Sequence, residues 1–149
     1  MKHLNRLPLL AILLAVPLLM APAAQIPEKL TAGAAQWNQN TQSVEVPLAV
    51  HPRFVRRDGY SVGLCVMIVD PDNNLIDEIY WAEPIIARGE IVRNEDGLVE
   101  IAPAFIPWDR REGTFSGLAG VCVMAQVFNR NGRPVKNADA ESCGVVEIR

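Results

Sequence analysis

Val44, Val46, Leu48 and Val50 alternate with Glu45, Pro47 and Ala49, a two-residue period that predicts a half-buried strand. Asn38-Gln39-Asn40-Thr41 just before it is a turn cluster, with Ala34 to Trp37 as the other arm of a hairpin. His51-Pro52 to Gly59 reads as a loop. Tyr60 to Asp70 (YSVGLCVMIVD) is the most apolar stretch outside the N-terminal region and predicts a central strand buried on both faces. Asp70-Pro71-Asp72-Asn73-Asn74 is a turn, after which Leu75 to Trp81 returns as a strand that Glu83-Pro84 breaks. Ile85 to Arg93 and Leu98 to Phe105 flank Asn94-Glu95-Asp96-Gly97, whose Asp-Gly is a hairpin signal. In the second arm Val99, Ile101 and Phe105 are expected on one face, and Pro103, lacking an amide donor, marks an edge strand. Ile106 to Gly117 is a loop around Pro107-Trp108-Asp109. Leu118 to Asn129 is a second long central strand, Asn131-Gly132-Arg133-Pro134 a turn, Asn137 to Ser142 a polar irregular stretch, and Gly144 to Arg149 a last strand.

No stretch keeps a 3.6-residue apolar period over ten or more residues, so the chain predicts no substantial helix. Seven to nine short strands with Gly-, Asn-, Asp- and Pro-rich turns predict an all-β fold, an antiparallel β-sandwich of immunoglobulin-like or related type, as a single domain over residues 34–149. Gly63-Leu64-Cys65-Val66-Met67 and Gly120-Val121-Cys122-Val123-Met124 share one pattern. The pattern is that of a duplicated half, or of two buried strands alike by chance.

The N-terminal 24 residues follow different rules. Lys2 and Arg6 precede an apolar run of 14 residues, Leu7 to Met20, and Ala21-Pro22-Ala23-Ala24 offers small residues for cleavage. This is the make-up of a secretory signal peptide over residues 1–24; the run is shorter than the roughly 20 residues a spanning helix needs. No cysteine stands at the cleavage point, so a lipid anchor is not indicated. The expected product is exported, periplasmic or secreted, with residues 25–33 as a flexible lead-in and no membrane span in the mature chain.

The mature chain carries 12 basic and 17 acidic residues, a net charge of −5. That balance argues against nucleic acid and anionic membrane surfaces as partners. Cys65, Cys122 and Cys143 all lie in the mature chain, and an oxidising compartment allows at most one internal disulfide among three thiols. Cys122–Cys143 fits a hairpin centred between Gly132 and Arg133, although Asn137 to Ser142 makes a poor strand. Cys65–Cys122 joins two core strands. With Trp81, that pairing resembles the immunoglobulin-type arrangement of a bridge between strands B and F covered by a Trp, but Gly120 stands where that family has its corner tyrosine. Both pairings stay open. No Cys-x-x-Cys is present, so a bond of either kind is expected to be structural.

Candidate chemistry is thin. Asp70-x-Asp72-x-Asn74 resembles the start of a calcium loop, but Leu75 and Trp81 occupy the positions that need Gly and Glu, leaving a polar turn. The four mature serines lie in no Gly-x-Ser-x-Gly elbow, and His51 is the one mature histidine. Adjacent carboxylates such as Asp77-Glu78 point to opposite faces of a strand and make no glycosidase pair. Hence no catalytic residue, metal site or cofactor is expected. Binding then falls to loops: Pro52–Gly59, with Arg56 and Arg57, and Pro107–Gly113, with Trp108, Asp109, Arg110 and Arg111. Trp108 is read either as an exposed platform or as a cap on the core. The leading expectation is a non-enzymatic module that binds a protein or envelope component. The alternatives are a carrier or enzyme for a small ligand or glycan, and a surface-assembly subunit in which Val145–Arg149 adds to another chain's edge.

Overall fold

The computed structural model describes residues 28–86, 91–108 and 115–149. The expected signal peptide, residues 1–24, and the expected binding residues Asp109, Arg110 and Arg111 lie outside them. Eight strands and one four-residue helix make up the described chain: β1 (Leu30–Ala32), β2 (Gln36–Asn38), β3 (Ser43–Val50), α1 (Pro52–Val55), β4 (Ser61–Val69), β5 (Leu75–Pro84), β6 (Val99–Pro107), β7 (Gly117–Phe128) and β8 (Pro134–Ile148). They form two antiparallel sheets. In the first, β1 and β2 pair along one side of β3 and β6 pairs with the other; in the second the order is β5-β4-β7-β8.

Both sheets contribute to one buried core. Val44, Val46, Leu48 and Val50 of β3 meet Val62, Leu64, Val66 and Ile68 of β4 and Val121, Val123 and Val127 of β7. Strand alternation delivers this: every second residue faces inward, and those positions hold branched aliphatics. Each such side chain contributes roughly 1.5–3 kcal/mol on burial.

Six expectations need correction. Glu83-Pro84 does not break its strand: β5 runs on through both, with Glu83 opposite Val62 and Pro84 opposite Ser61. Part of the supposed flexible lead-in is ordered: Leu30 pairs opposite Val50 and is buried, so β1 belongs to the first sheet. The 60–70 strand is central but not buried on both faces; only its even-numbered residues are buried, while Gly63, Cys65 and Met67 are half-exposed on the outer face. Arg93 pairs with Val99 in an isolated bridge around the Asn94–Gly97 turn, with Ile91 and Val92 exposed, and no longer strand forms there among the described residues. In β6, Val46 pairs with Ala104 but Leu48 pairs with Ile101, so an extra residue bulges around Pro103. The bulge reverses the face: Val99 is buried ahead of it, Ala104 and Ile106 beyond it, and Phe105 turns outward. The expected edge is real: among the described residues β6 pairs with no strand but β3, its other side meeting only Arg93 through the bridge to Val99.

The last correction concerns β8. It runs unbroken through the polar stretch from Asn137 to Ser142, because Ala138, Ala140, Ser142 and Gly144 face inward and Asp139, Glu141 and Cys143 outward. A bulge between the Gln126 and Phe128 pairings, with Asn137 at φ 54°, absorbs the extra residues. The Gln126 amide holds the bulge, Nε2 donating to the carbonyls of Val127, Val135 and Ala138 at 3.0 Å each. Cys122 then stands opposite Cys143, and the two form the disulfide; Cys65 is free. The turn is wider than the expected two-residue loop: Asn129 N–H donates to Arg133 O, and Gly132 sits at φ 70°. The immunoglobulin-type bridge is absent, and Trp81, opposite Leu64, lies across the sheet from Cys65. No helix among the described residues is long and apolar enough to cross a membrane.

Candidate functional site

The Pro52–Gly59 loop is built around Phe54. Its ring is fully buried and packs edge-on against Tyr60, with centroids 5.0 Å apart, and against His51 at 6.2 Å. Pro52 opens the one-turn helix, where its missing N–H costs nothing. His51 Nδ1 accepts from Arg53 N–H at 3.2 Å, which places the imidazole proton on Nε2. With Phe54 pinned inward, the alternate side chains Arg53, Arg56 and Arg57 are exposed, and the Arg53 guanidinium lies 4.6 Å from the Phe54 ring centroid.

These arginines border a cleft of about 500 Å³ that His51, Tyr60 and Arg93 complete. Arg93 arrives from the hairpin before β6. Among the described residues none of the four guanidiniums has a carboxylate within ion-pairing distance. Asp58 lines a neighbouring hollow with Asn129 and Arg130, which Arg57 and Tyr60 border as well. The local field is positive: burial first, then Arg53, Arg93, Lys29 and Arg56, holds the His51 pKa below its ordinary value. His51 is therefore neutral at neutral pH, with Nε2–H a donor.

A second concavity lies on the outer face of the β5-β4-β7-β8 sheet. It is an open trough of about 610 Å³ lined by Gly63, Cys65, Tyr80, Met124, Gln126 and Phe128. Gly63 forms its floor because Phe128 covers the position: a Cβ there would come within 2.7 Å of the ring. Tyr80 is 73% exposed and Met124 43%, so apolar surface faces solvent. The Cys65 thiol donates to Glu78 Oε1 at 3.5 Å, and Tyr80 Oη donates to the same oxygen at 2.7 Å. Burial, then Glu78, raises the Cys65 thiol pKa, and Glu78 pushes Tyr80 up to about 12. Cys65 is thus a protonated thiol, not an activated nucleophile.

The other predicted positions sort plainly. Trp108 is 6% exposed and stacks edge-on against Trp37 at 5.9 Å, so it caps the core and is no exposed platform. Asp70 Oδ1 accepts from the amides of Asp72 and Asn74, and Oδ2 from the Asn74 side chain, the bonding of a turn rather than a calcium loop. Among the described residues no three His, Cys, Asp or Glu side chains gather as a metal site. Arg56 and Arg57 are brought together with His51, weighed from the sequence only as a catalytic base, and with Arg53 and Arg93, which the sequence reading did not single out. The signal available was three arginines within five residues, Arg53 to Arg57; nothing local pointed to Arg93. Compared with known proteins, the chain matches no family model, no curated protein and no solved structure.

Proposed function

We propose that this protein is an exported, non-enzymatic binding module of the periplasm or cell envelope, built as a β-sandwich of immunoglobulin-like or related type, that grips an anionic group on its partner. The observation that carries this reading is the basic cleft: four arginines without carboxylate partners among the described residues, on a mature chain of net charge −5. Same-sign charges held together repel one another, and an incoming anion relieves that repulsion. Guanidinium forks bind carboxylate, phosphate or sulfate bidentately, and neutral His51 and Tyr60 supply further polar contacts. A carrier of a small apolar ligand is the second reading, favoured by the open trough beside Tyr80 and Met124. Strand addition is the third, favoured by the place of Val145–Arg149 at an edge of the second sheet.

The test is calorimetric titration at low salt with a size-defined sulfated oligosaccharide and with inorganic phosphate, on wild type and on R56Q/R57Q. Binding that weakens at least about tenfold in the variant and falls steeply with added salt supports the cleft. Equal binding by wild type and variant, or no binding of either probe, sinks it.

A further inference from the structure

The repeated Gly-apolar-Cys-Val-Met pattern acquires a spatial meaning in the second sheet. The two copies are neighbours and run antiparallel, so Cys65 pairs with Met124 and Met67 pairs with Cys122 about a centre at Val66 and Val123. The valines point into the core and the four sulfur side chains point out. Cys143 takes Cys122 into the disulfide, which leaves one thiol, Cys65, with a methionine beside it on each side: Met124 across the strand pair and Met67 two positions along β4. Directly paired side chains such as Cys65 and Met124 have Cβ atoms about 5 Å apart, and positions two apart along a strand, such as Cys65 and Met67, are about 7 Å apart; a side chain as long as Met can span either gap to a common atom. Met67 and Met124 are the only methionines beyond the signal segment, and both flank the one free thiol. Met124 is 43% exposed, on a surface where the fold does not need a thioether.

We propose that Cys65, Met67 and Met124 form a binding site for a soft monovalent cation, Cu(I), on the outer sheet face at the margin of the trough, which Cys65 and Met124 line and Met67 does not. One thiolate and two thioethers form a soft three-sulfur set that suits Cu(I) and disfavours Ca²⁺ and Mg²⁺. Binding forms a copper–sulfur bond and breaks the Cys65 S–H bond. The proton passes to the Glu78 carboxylate, which already accepts from that thiol at 3.5 Å and is held in place by Tyr80. No electron is transferred. The metal displaces the thiol proton even though the thiol is reluctant to ionise alone.

The test uses the mature protein with its disulfide intact and no thiol reductant. Cu(I), supplied anaerobically as its acetonitrile complex, is titrated in competition with a chromophoric Cu(I) chelator. Expected are one copper per chain, loss of the site in C65S, and weakening of about tenfold or more in each of M67L and M124L. Leu for Met conserves volume, so these variants keep the fold. Ag(I), a redox-inert stand-in, should shift both Met methyl resonances in NMR spectra. Unchanged affinity in both Met variants would mean capture by the thiol alone and would overturn the site. One copper bridging two chains, or no competition with the chelator, would overturn it equally.

Discussion

Replacing Cys122 and Cys143 by alanine removes a cross-link whose cysteines are 21 residues apart, closing the β7–β8 hairpin. The loop-entropy relation for a closed loop of that length gives about 11 cal/mol/K, or about 3 kcal/mol at 25 °C. Little packing offsets this, because Cys143 is exposed and Cys122 half-exposed on the outer face. The double variant should therefore lose about 3 kcal/mol. Equilibrium urea unfolding, followed by the fluorescence of Trp37, Trp81 and Trp108, reads the loss. With a urea m-value of about 1.5 kcal/mol/M, the midpoint falls by about 2 M, and m rises slightly as the unfolded chain expands. Thiol titration of denatured wild type should find one free thiol per chain, Cys65. A loss below about 1 kcal/mol would refute the reasoning: the hairpin would then stay closed in the unfolded ensemble without its bridge. A loss well above 5 kcal/mol would refute it from the other side, by showing that the sulfurs matter to packing.

Gln126→Leu strands the carbonyl of Val127 in β7 and those of Val135 and Ala138 in the β8 bulge, and should cost about 1–3 kcal/mol, measured by the same urea unfolding. Phe54→Ala empties the plug under the basic loop and should cost about 3–5 kcal/mol in thermal or urea unfolding, weakening anion binding with it. Trp108→Ala should likewise cost several kcal/mol but leave anion affinity intact in the calorimetric titration, since Trp108 caps the core away from the cleft. His51 should titrate below 6.5 by NMR, and its midpoint should rise when sulfate occupies the cleft; a midpoint at or above 6.5 without anion contradicts the positive field. Because the unfolded chain takes that proton first as pH falls, His51 makes folding slightly less favourable below its ordinary pKa, not above it.

The sequence carried the strands well where a branched aliphatic stood at every second position, as in β3. It misled where the alternation was hidden. In β4 the outward residues Gly63, Cys65 and Met67 are apolar by count, so a one-sided strand looked like a two-sided one. In β8 the inward residues Ala138, Ala140, Ser142 and Gly144 are small, so the pattern looked irregular. The single extra residue near Pro103 changed which side of β6 faces the core; Pro103 fits an edge or a bulge alike, and was read only as an edge. The Cys122–Cys143 pairing was legible as one of two alternatives, yet the expected turn was wrong; the β8 bulge restores the register that a two-residue loop would have set. Of the cleft, Arg56 and Arg57 were visible as a pair. Arg93 joins them only through tertiary folding, because the hairpin before β6 returns beside the β3–β4 loop.

The order β5-β4-β7-β8 has a consequence for how fast the chain finds its native state. Each outer pairing joins strands linked by a short turn and closes quickly, on the microsecond scale of hairpins. The central pairing brings together Val66 and Val123, 57 positions apart in the chain. Closing that long loop gains nothing until the two hairpins meet, so their docking along β4 and β7 sets the folding barrier. Substitutions at Val66 or Val123 should then slow folding itself, whereas changes at the Asp70–Asn74 turn, formed early in its own hairpin, should be felt less in that step.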